Sequence, residues 1–425
     1  MSVDIKIPEI RFKGVSGEWK VKTIAELIDD ELIYPPKDGN HGNIHPKATD
    51  YVKYGIPFLM ANNIRGGKIQ FCDCYHISLE QAETLQKGFA RTGDVLLTHK
   101  GTVGEVAVVP QTEFPYLMLT PQVTYYRISG ALGLDTYFLA TSFVTNSFQA
   151  PLKQEAGGGT RAYLGITAQQ KLSISIPPKF EEQTKIGSYF QKLDSLIKQH
   201  QQKHDKLSNL KKAMLEKMFP KQREAIPEIR FKEFSREWGA KKLRSVASFH
   251  KGKGLPKSSI QGDGIYSCIH YGELFTKYSE VIEMTMSRTN QNDNFFSVSN
   301  DVLMPTSDVT PKGLVKPCCI KQNGVVLGGD ILVIRPNNQN FIDGAFLSRF
   351  IRTREQQVLQ NVTGSTVFHL YASSIENLDI AFPSIEEQTA IGNYFQKLDT
   401  LINQHQQQIT KLTNIKQACL SKMFV

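Results

Sequence analysis

Repetition within the chain constrains its fold more than any other feature of the sequence. Ile7-Pro8-Glu9-Ile10-Arg11-Phe12-Lys13 recurs as Ile226-Pro227-Glu228-Ile229-Arg230-Phe231-Lys232, followed by Glu18-Trp19 and Glu237-Trp238, the only two tryptophans. A longer repeat opens at Glu181-Glu182-Gln183-Thr184 and again at Glu386-Glu387-Gln388-Thr389, and runs to Met218-Phe219 and Met423-Phe424. About two thirds of its positions are identical, far beyond chance. The tryptophans lie 219 residues apart and the Glu-Glu-Gln motifs 205, so the second variable region is 14 residues shorter between its landmarks. A weaker echo, Gly158-Gly159-Thr160 with Leu164 and Leu172 against Gly364-Ser365-Thr366 with Leu370 and Leu378, predicts that the two variable regions share one fold.

These landmarks divide the chain into an entry motif (1–19), a first head (20–178), a first shared helix (179–219), a linker repeating the entry motif (220–238), a second head (239–383) and a second shared helix (384–425). The β-branched and aromatic content of 94–98, 105–109, 123–128, 301–304 and 330–334 predicts strands, with short helices over 136–147 and 344–359. The fold class expected is mixed α+β, two similar globular heads on two long antiparallel coiled-coil helices, with an internal pseudo-two-fold.

In the first shared helix Ile186, Leu193, His200, Leu207 and Met214 stand seven apart, as do Ile391, Leu398, His405, Leu412 and Cys419 in the second. This is a coiled-coil seam with a polar middle, where His200 is expected to approach His405 and either fix the register or sit in a tolerant, partly solvated seam. Acidic first turns and basic last turns suit the helix dipole, and Ser384 with Glu387 predicts a capping box. A helix over 181–218 would be about 57 Å long, an upper limit of roughly 17 base pairs of duplex, shortened towards about 10 by heads docking beside it.

The formal net charge of +9 favours an anionic partner such as nucleic acid or an acidic membrane surface, although a merely soluble basic protein fits it as well. No apolar run has signal-peptide or membrane-span length, which predicts a cytoplasmic protein with no membrane partner. Cys72-x-Cys74 and Cys318-Cys319 lack zinc-clamp spacing; His41 and His45 could complete a site with the first pair, against the simpler reading of free thiols. No catalytic motif stands out: Gly252 to Ser258 has the wrong spacing for a P-loop, and Ile176-Pro177-Pro178-Lys179 lacks the polar and aromatic residues of an adenine-methyltransferase motif.

Instead the heads carry turns in which basic, amide and hydroxyl side chains crowd together. In the first head the candidate DNA contacts are Lys37, Asn40, His41, Asn62, Asn63, Arg65, Lys68, Thr98, Lys100, Thr102 and Arg161. The second head offers Lys251, Lys253, Lys257, Ser258, Ser307, Thr310 and Lys312. Glycines let backbone approach phosphates, lysine and arginine neutralise them, and Asn or Arg can read base edges. Each turn alone reads as an ordinary solvated loop; together on a basic, duplicated chain they point to DNA.

Two variable regions, each closed by a Glu-Glu-Gln-x-x-Ile-Gly helix, with the Pro-Glu-Ile-Arg-Phe…Glu-Trp entry and the stretch Gly93 to Gly104, resemble the specificity subunit of type I restriction-modification systems. The resemblance implies a prokaryotic protein whose heads are target-recognition domains, each reading half of a split target in double-stranded DNA. The paired helices would space the halves and, through the seam residues, dock two modification (methyltransferase) subunits, with restriction/translocase subunits added. This chain would bind no cofactor and catalyse nothing; S-adenosylmethionine, ATP and Mg would sit on the partners. Ser307 to Lys312 replaces the glycine-rich turn of the first head, which leaves its contacts open. The alternatives are a self-contained methyltransferase or nuclease with a degenerate site, and a basic coiled-coil adaptor.

Overall fold

The computed structural model describes residues 7–130, 133–157, 162–222, 224–292 and 295–425. The chain forms two compact units, residues 1–200 with 407–425, and residues 201–406.

In unit 1 the strand Lys20–Thr23 pairs antiparallel with Ser173–Ile176, so the two ends of the head are tied together. A four-stranded sheet has the order Val106–Val108, Val95–Thr98, Val123–Tyr126, Lys37–Asp38. All four residues of Val95–Thr98 are buried. Val95 and Leu97 enter a core shared with the helices Thr136–Val144 and Asn146–Ala156, whereas Leu96 enters a second core against the next sheet. A strand covered on both faces becomes a continuous apolar run, which is why its sequence does not alternate. The second sheet runs Tyr51–Val52, Tyr75–Ile77, Ile56–Leu59, Leu117–Leu119, Phe89–Ala90, with a parallel pair in the middle.

Unit 2 repeats this plan. Gly239–Lys242 pairs with Asp379–Phe382, and a five-stranded sheet contains Ala247–Lys251, Ile331–Pro336, Val302–Pro305 and Cys318–Ile320, plus the extra edge strand Val281–Ile282. The second sheet again centres on a parallel pair, Tyr266–Ile269 with Val326–Leu327. The expected shared head fold is therefore observed, with strands and helices at the expected places. Each expected helix is two: 136–147 breaks at Thr145 between Thr136–Val144 and Asn146–Ala156, and 344–359 divides into Gly344–Thr353 and Glu355–Leu359.

The repeated sequences make repeated contacts. Arg11 grips Glu182 at 2.8 and 2.6 Å, and Arg230 grips Glu387 at 2.7 and 2.6 Å; both carboxylates are buried. Gln183 accepts from Asp135 N and donates to Gly133 O, as Gln388 does with Asp343 N and Phe341 O. Each glutamine thereby holds the start of a head helix whose N-cap is that same aspartate. Gly187 is required where the long helix meets this start, since a Cβ there would lie 2.6 Å from Asp135 Oδ1 and 2.8 Å from Phe138 N. Glu387 is thus spent on Arg230, and the capping box expected with Ser384 is not its role.

The long helices span Phe180–Lys217 and Ile385–Lys422. Within each unit a segment of one runs antiparallel to a segment of the other: Lys416 pairs with Asp194 and Tyr189 with Cys419 in unit 1, and Lys211 with Asp399 in unit 2. The helix ends close the cores. Phe424 lies 5.8 Å from the Trp19 ring in unit 1, and Phe219 6.2 Å from Trp238 in unit 2.

Candidate nucleic-acid interface

The side chains singled out in the sequence divide into those the fold consumes and those it presents. Asn40 is 1% exposed: its Nδ2 donates to Lys87 O at 2.6 Å, and its Oδ1 accepts from Gln86 N and Lys87 N. Asn63 is buried likewise, accepting from Met60 N at 2.8 Å and donating to Asp73 O at 3.0 Å. Thr98 is buried and accepts from Glu105 N at 2.9 Å. These three hold turns and cannot reach DNA in this conformation, which corrects their expected role. A buried amide satisfies its own backbone before it can satisfy a base.

His41 is exposed and donates through Nε2 to Asp38 at 2.7 Å, where Lys87 also binds. Burial pushes the Asp38 carboxyl up, but Lys87 and His41 outweigh it and hold the group below the usual carboxylate range. His45 bonds Asn40 O, and Cys74 donates to Gln70 O, so neither faces the other. Among the described residues no three His, Cys, Asp or Glu side chains converge on a metal-sized site. None of the described helices is long and apolar enough to cross a membrane.

Besides His41, the exposed candidates of the first head are Lys37, Asn62, Arg65, Lys68, Lys100 and Thr102. Arg65 and Lys68 lie on the hairpin Ile64–Arg65/Lys68–Ile69, whose turn glycines Gly66 and Gly67 have φ of 57° and 77°. Partial burial, with a smaller push from Lys198 and Lys416 that Asp194 opposes, holds the Lys68 amine below its ordinary value. Lys100 bridges to Tyr163, its Nζ 6.0 Å from the ring. Arg161 lies outside the described residues, as does the Gly158-Gly159-Thr160 echo.

In the second head Lys251, Lys253, Lys257, Ser258, Thr310 and Lys312 are exposed, and Ser307 is half-buried. Lys251 lies 3.7 Å from Asp330, and Thr310 donates to Asp308 at 2.9 Å. Gly252 does not serve a phosphate: a Cβ there would sit 2.0 Å from Gly328 O, so the glycine lets two backbones pack. Gly39 stands equally close to Leu119 O in the first head.

The seam residues are also redistributed. Ile186 and Leu193 belong to the core of unit 1, and Ile391 and Leu398 to that of unit 2. Leu207 and Met214 pack on unit 2, Leu412 on unit 1, while His200 and His405 are half-buried. The four buried ones hold head to helix and are closed to a docking partner, which corrects that expectation. A heptad stripe does not say whether a helix or a head covers it.

His99, Tyr163, Val309, Val367, His369 and Tyr371 are not among the candidates but lie at or beside their turns. His99 is buried beside the Lys100 turn and donates through Nδ1 to Leu164 O at 2.9 Å; burial keeps its imidazole below the ordinary value. Val309 lies within the Ser307–Lys312 turn itself, while strand pairing brings Tyr163 to the Lys100 turn and His369 to the Ser307 turn, with Val367 and Tyr371 flanking His369 in the chain.

A duplicated mixed fold with a two-sheet head in each copy, basic exposed turns and no convergent catalytic cluster among the described residues defines a class of paired recognition modules. Comparison with known proteins gives that class a family. The model of the type I restriction modification DNA specificity domain matches twice, over residues 17–209 and 235–414, and the chain belongs to that family. It is 23% identical over 354 residues to the type I restriction enzyme MjaIX specificity subunit of Methanocaldococcus jannaschii, covering 78% of this chain and 76% of that one. A second chain of that organism, provisionally named the MjaX specificity subunit, is 22% identical over 409 residues, with 91% and 88% covered. The S subunit of the type I restriction-modification system of M. genitalium shares the fold, with a TM-score of 0.67 at 14% identity over 99% of both chains.

Proposed function

We propose that this chain is the DNA-recognition subunit of a type I restriction-modification complex, in which each head reads one half of a split target and the long helices set the distance between the halves. The carrying observation is the contrast within one chain: the contacts that tie each head to its long helix, from Arg11–Glu182 and Gln183 to Arg230–Glu387 and Gln388, are repeated, while the exposed turns differ. Lys37, His41, Asn62, Arg65, Lys68, Lys100 and Thr102 of the first head, with Lys251, Lys253, Lys257, Ser258, Ser307, Thr310 and Lys312 of the second, supply phosphate-neutralising charge and base-directed hydroxyls and amides. Methyl transfer and ATP-driven restriction belong to partner subunits, two modification subunits and the restriction/translocase subunits, which carry S-adenosylmethionine, ATP and Mg. Exposed helix faces, and not the buried seam residues, are the surface left to those subunits.

The test is a head exchange. Residues 239–380 are replaced by the corresponding segment of another family member, and the methylated adenines are mapped after co-expression with the modification subunits. One half of the target should change and the other stay. A target unchanged in both halves would overturn the proposal.

A further inference from the structure

One backbone pairing recurs in both heads outside the main sheets. In the second head Ser307–Asp308 pairs with Phe368–His369, which pairs in turn with Thr363–Gly364, giving a small three-stranded ribbon apart from the main sheets. Leu370 anchors it, fully buried, its N–H donating to Thr306 O at 3.0 Å. In the first head Lys100 bridges to Tyr163, and Leu164, buried, donates to His99 O at 2.9 Å. Counting from the paired aspartates Asp94 and Asp301, which bind Arg127 just past the strand Val123–Tyr126 and Arg335 of Ile331–Pro336, Lys100 corresponds to Ser307 and Tyr163 to His369. The pairing is therefore kept while the paired side chains, Lys100 with Tyr163 and Ser307 with His369, differ.

Those side chains are unlike an ordinary solvated turn. Val309 is 70% exposed and Val367 42%, with Tyr371 at 56% stacked on His369. Thr310, Ser365 and Thr366 add hydroxyls, and Lys312 flanks them, all exposed. The carboxylate on the ribbon, Asp308, is half-buried and accepts from Val309 N and Thr310 Oγ1. Adjoining exposed apolar groups rimmed by polar side chains mark an interaction surface, and Asp308 is the carboxylate that Lys312 would offset beside a duplex.

We infer that this paired-loop ribbon is the base-reading element of each head, entering the major groove of duplex DNA. The inference rests on the DNA-recognition reading above. A β-ribbon fits the major groove, valine suits the thymine methyl, hydroxyls accept or donate to either partner of a base pair, and lysine takes the flanking phosphate. Val309, Thr366 and Val367 read bases in the second head. Lys312 positions the ribbon. Lys100, Thr102 and Tyr163 hold the corresponding place in the first.

The experiment selects bound sequences from a library of randomised duplexes with the full chain. Wild type should enrich two fixed blocks separated by a gap. Val309→Ala combined with Thr366→Ala and Val367→Ala should keep one block and lose preference in the other by about tenfold or more at the contacted positions. Lys312→Ala should keep both blocks and bind more weakly to all duplexes, with a salt slope shallower by about one. All four substitutions are at exposed positions, and thermal melting of the variants should match wild type. A triple variant that melts normally and retains both blocks overturns the ribbon assignment alone. A wild-type chain that enriches no sequence overturns the DNA-recognition reading, and the ribbon with it.

Discussion

At the scale of single residues, the arginine of each entry motif shows what the repeat is for. Arg11 and Arg230 each close two hydrogen bonds on a glutamate whose side chain is 1% exposed, at the first turn of a long helix. Removing the guanidinium strands a buried carboxylate, which costs about 3 kcal/mol. Arg11→Met and Arg230→Met should therefore lower hydrogen-exchange protection by similar amounts, each in its own unit. Equal protection in variant and wild type would show that these pairs do not hold the heads. Such pairs were legible in advance only as repeated letters: Arg11 and Glu182 stand 171 positions apart, and nothing local joins them. Asn40 and Asn63 fail in the opposite direction, because a turn rich in amides looks the same whether the amide faces water or its own backbone.

Elements were legible where a pattern is local and illegible where it is not. The strand Val95–Thr98 and its counterpart Val302–Pro305 announce themselves as apolar runs, but a run buried on both faces has no alternation from which a neighbour could be inferred. The parallel pairs at the centre of the second sheets join strands that are far apart in sequence, and their order emerges only from packing. The helix segments of unit 2 carry a charge cluster that the heptad pattern hid. Lys211 binds Glu280 at 2.9 Å and Asp399 at 2.5 Å, with Arg352 on Glu280 and Arg349 on Asp399. Burial pushes Glu280 up, but Lys211 and Arg352 outweigh it and hold the group below the usual carboxylate range. Burial, together with Glu280, leaves Asp399 above that range. Lys211→Met should cost about 3 kcal/mol at neutral pH, where both carboxylates are charged and have lost their shared cation. As pH falls and the two carboxylates take up protons, the charge that Lys211 compensates is lost, so the gap between variant and wild type should narrow through the acid range. Urea unfolding at a series of pH values reads this directly, and a gap independent of pH would mean that packing of the lysine stem, not its charge, is what matters.

At the scale of the molecule, the contrast is between a frame copied within the chain and outward surfaces that differ. The two long helices are 38 residues each, and both contribute to both units. If they set the distance between half-sites, the spacer should follow helix length independently of what the heads read. Inserting one heptad into each helix, near His200 and His405, adds about 10 Å of helix, roughly three base pairs of duplex. Seven residues restore the angular phase of a 3.5-residue seam, so the antiparallel pairing survives the insertion. The insertion also leaves Arg11–Glu182, Arg230–Glu387 and the helix ends beside Trp19 and Trp238 untouched, because all of these lie within one unit or the other. Target mapping of the variant should return the same two half-sites with a gap about three base pairs longer. An unchanged gap would separate the helices from the spacing and leave them only the task of closing each head's core.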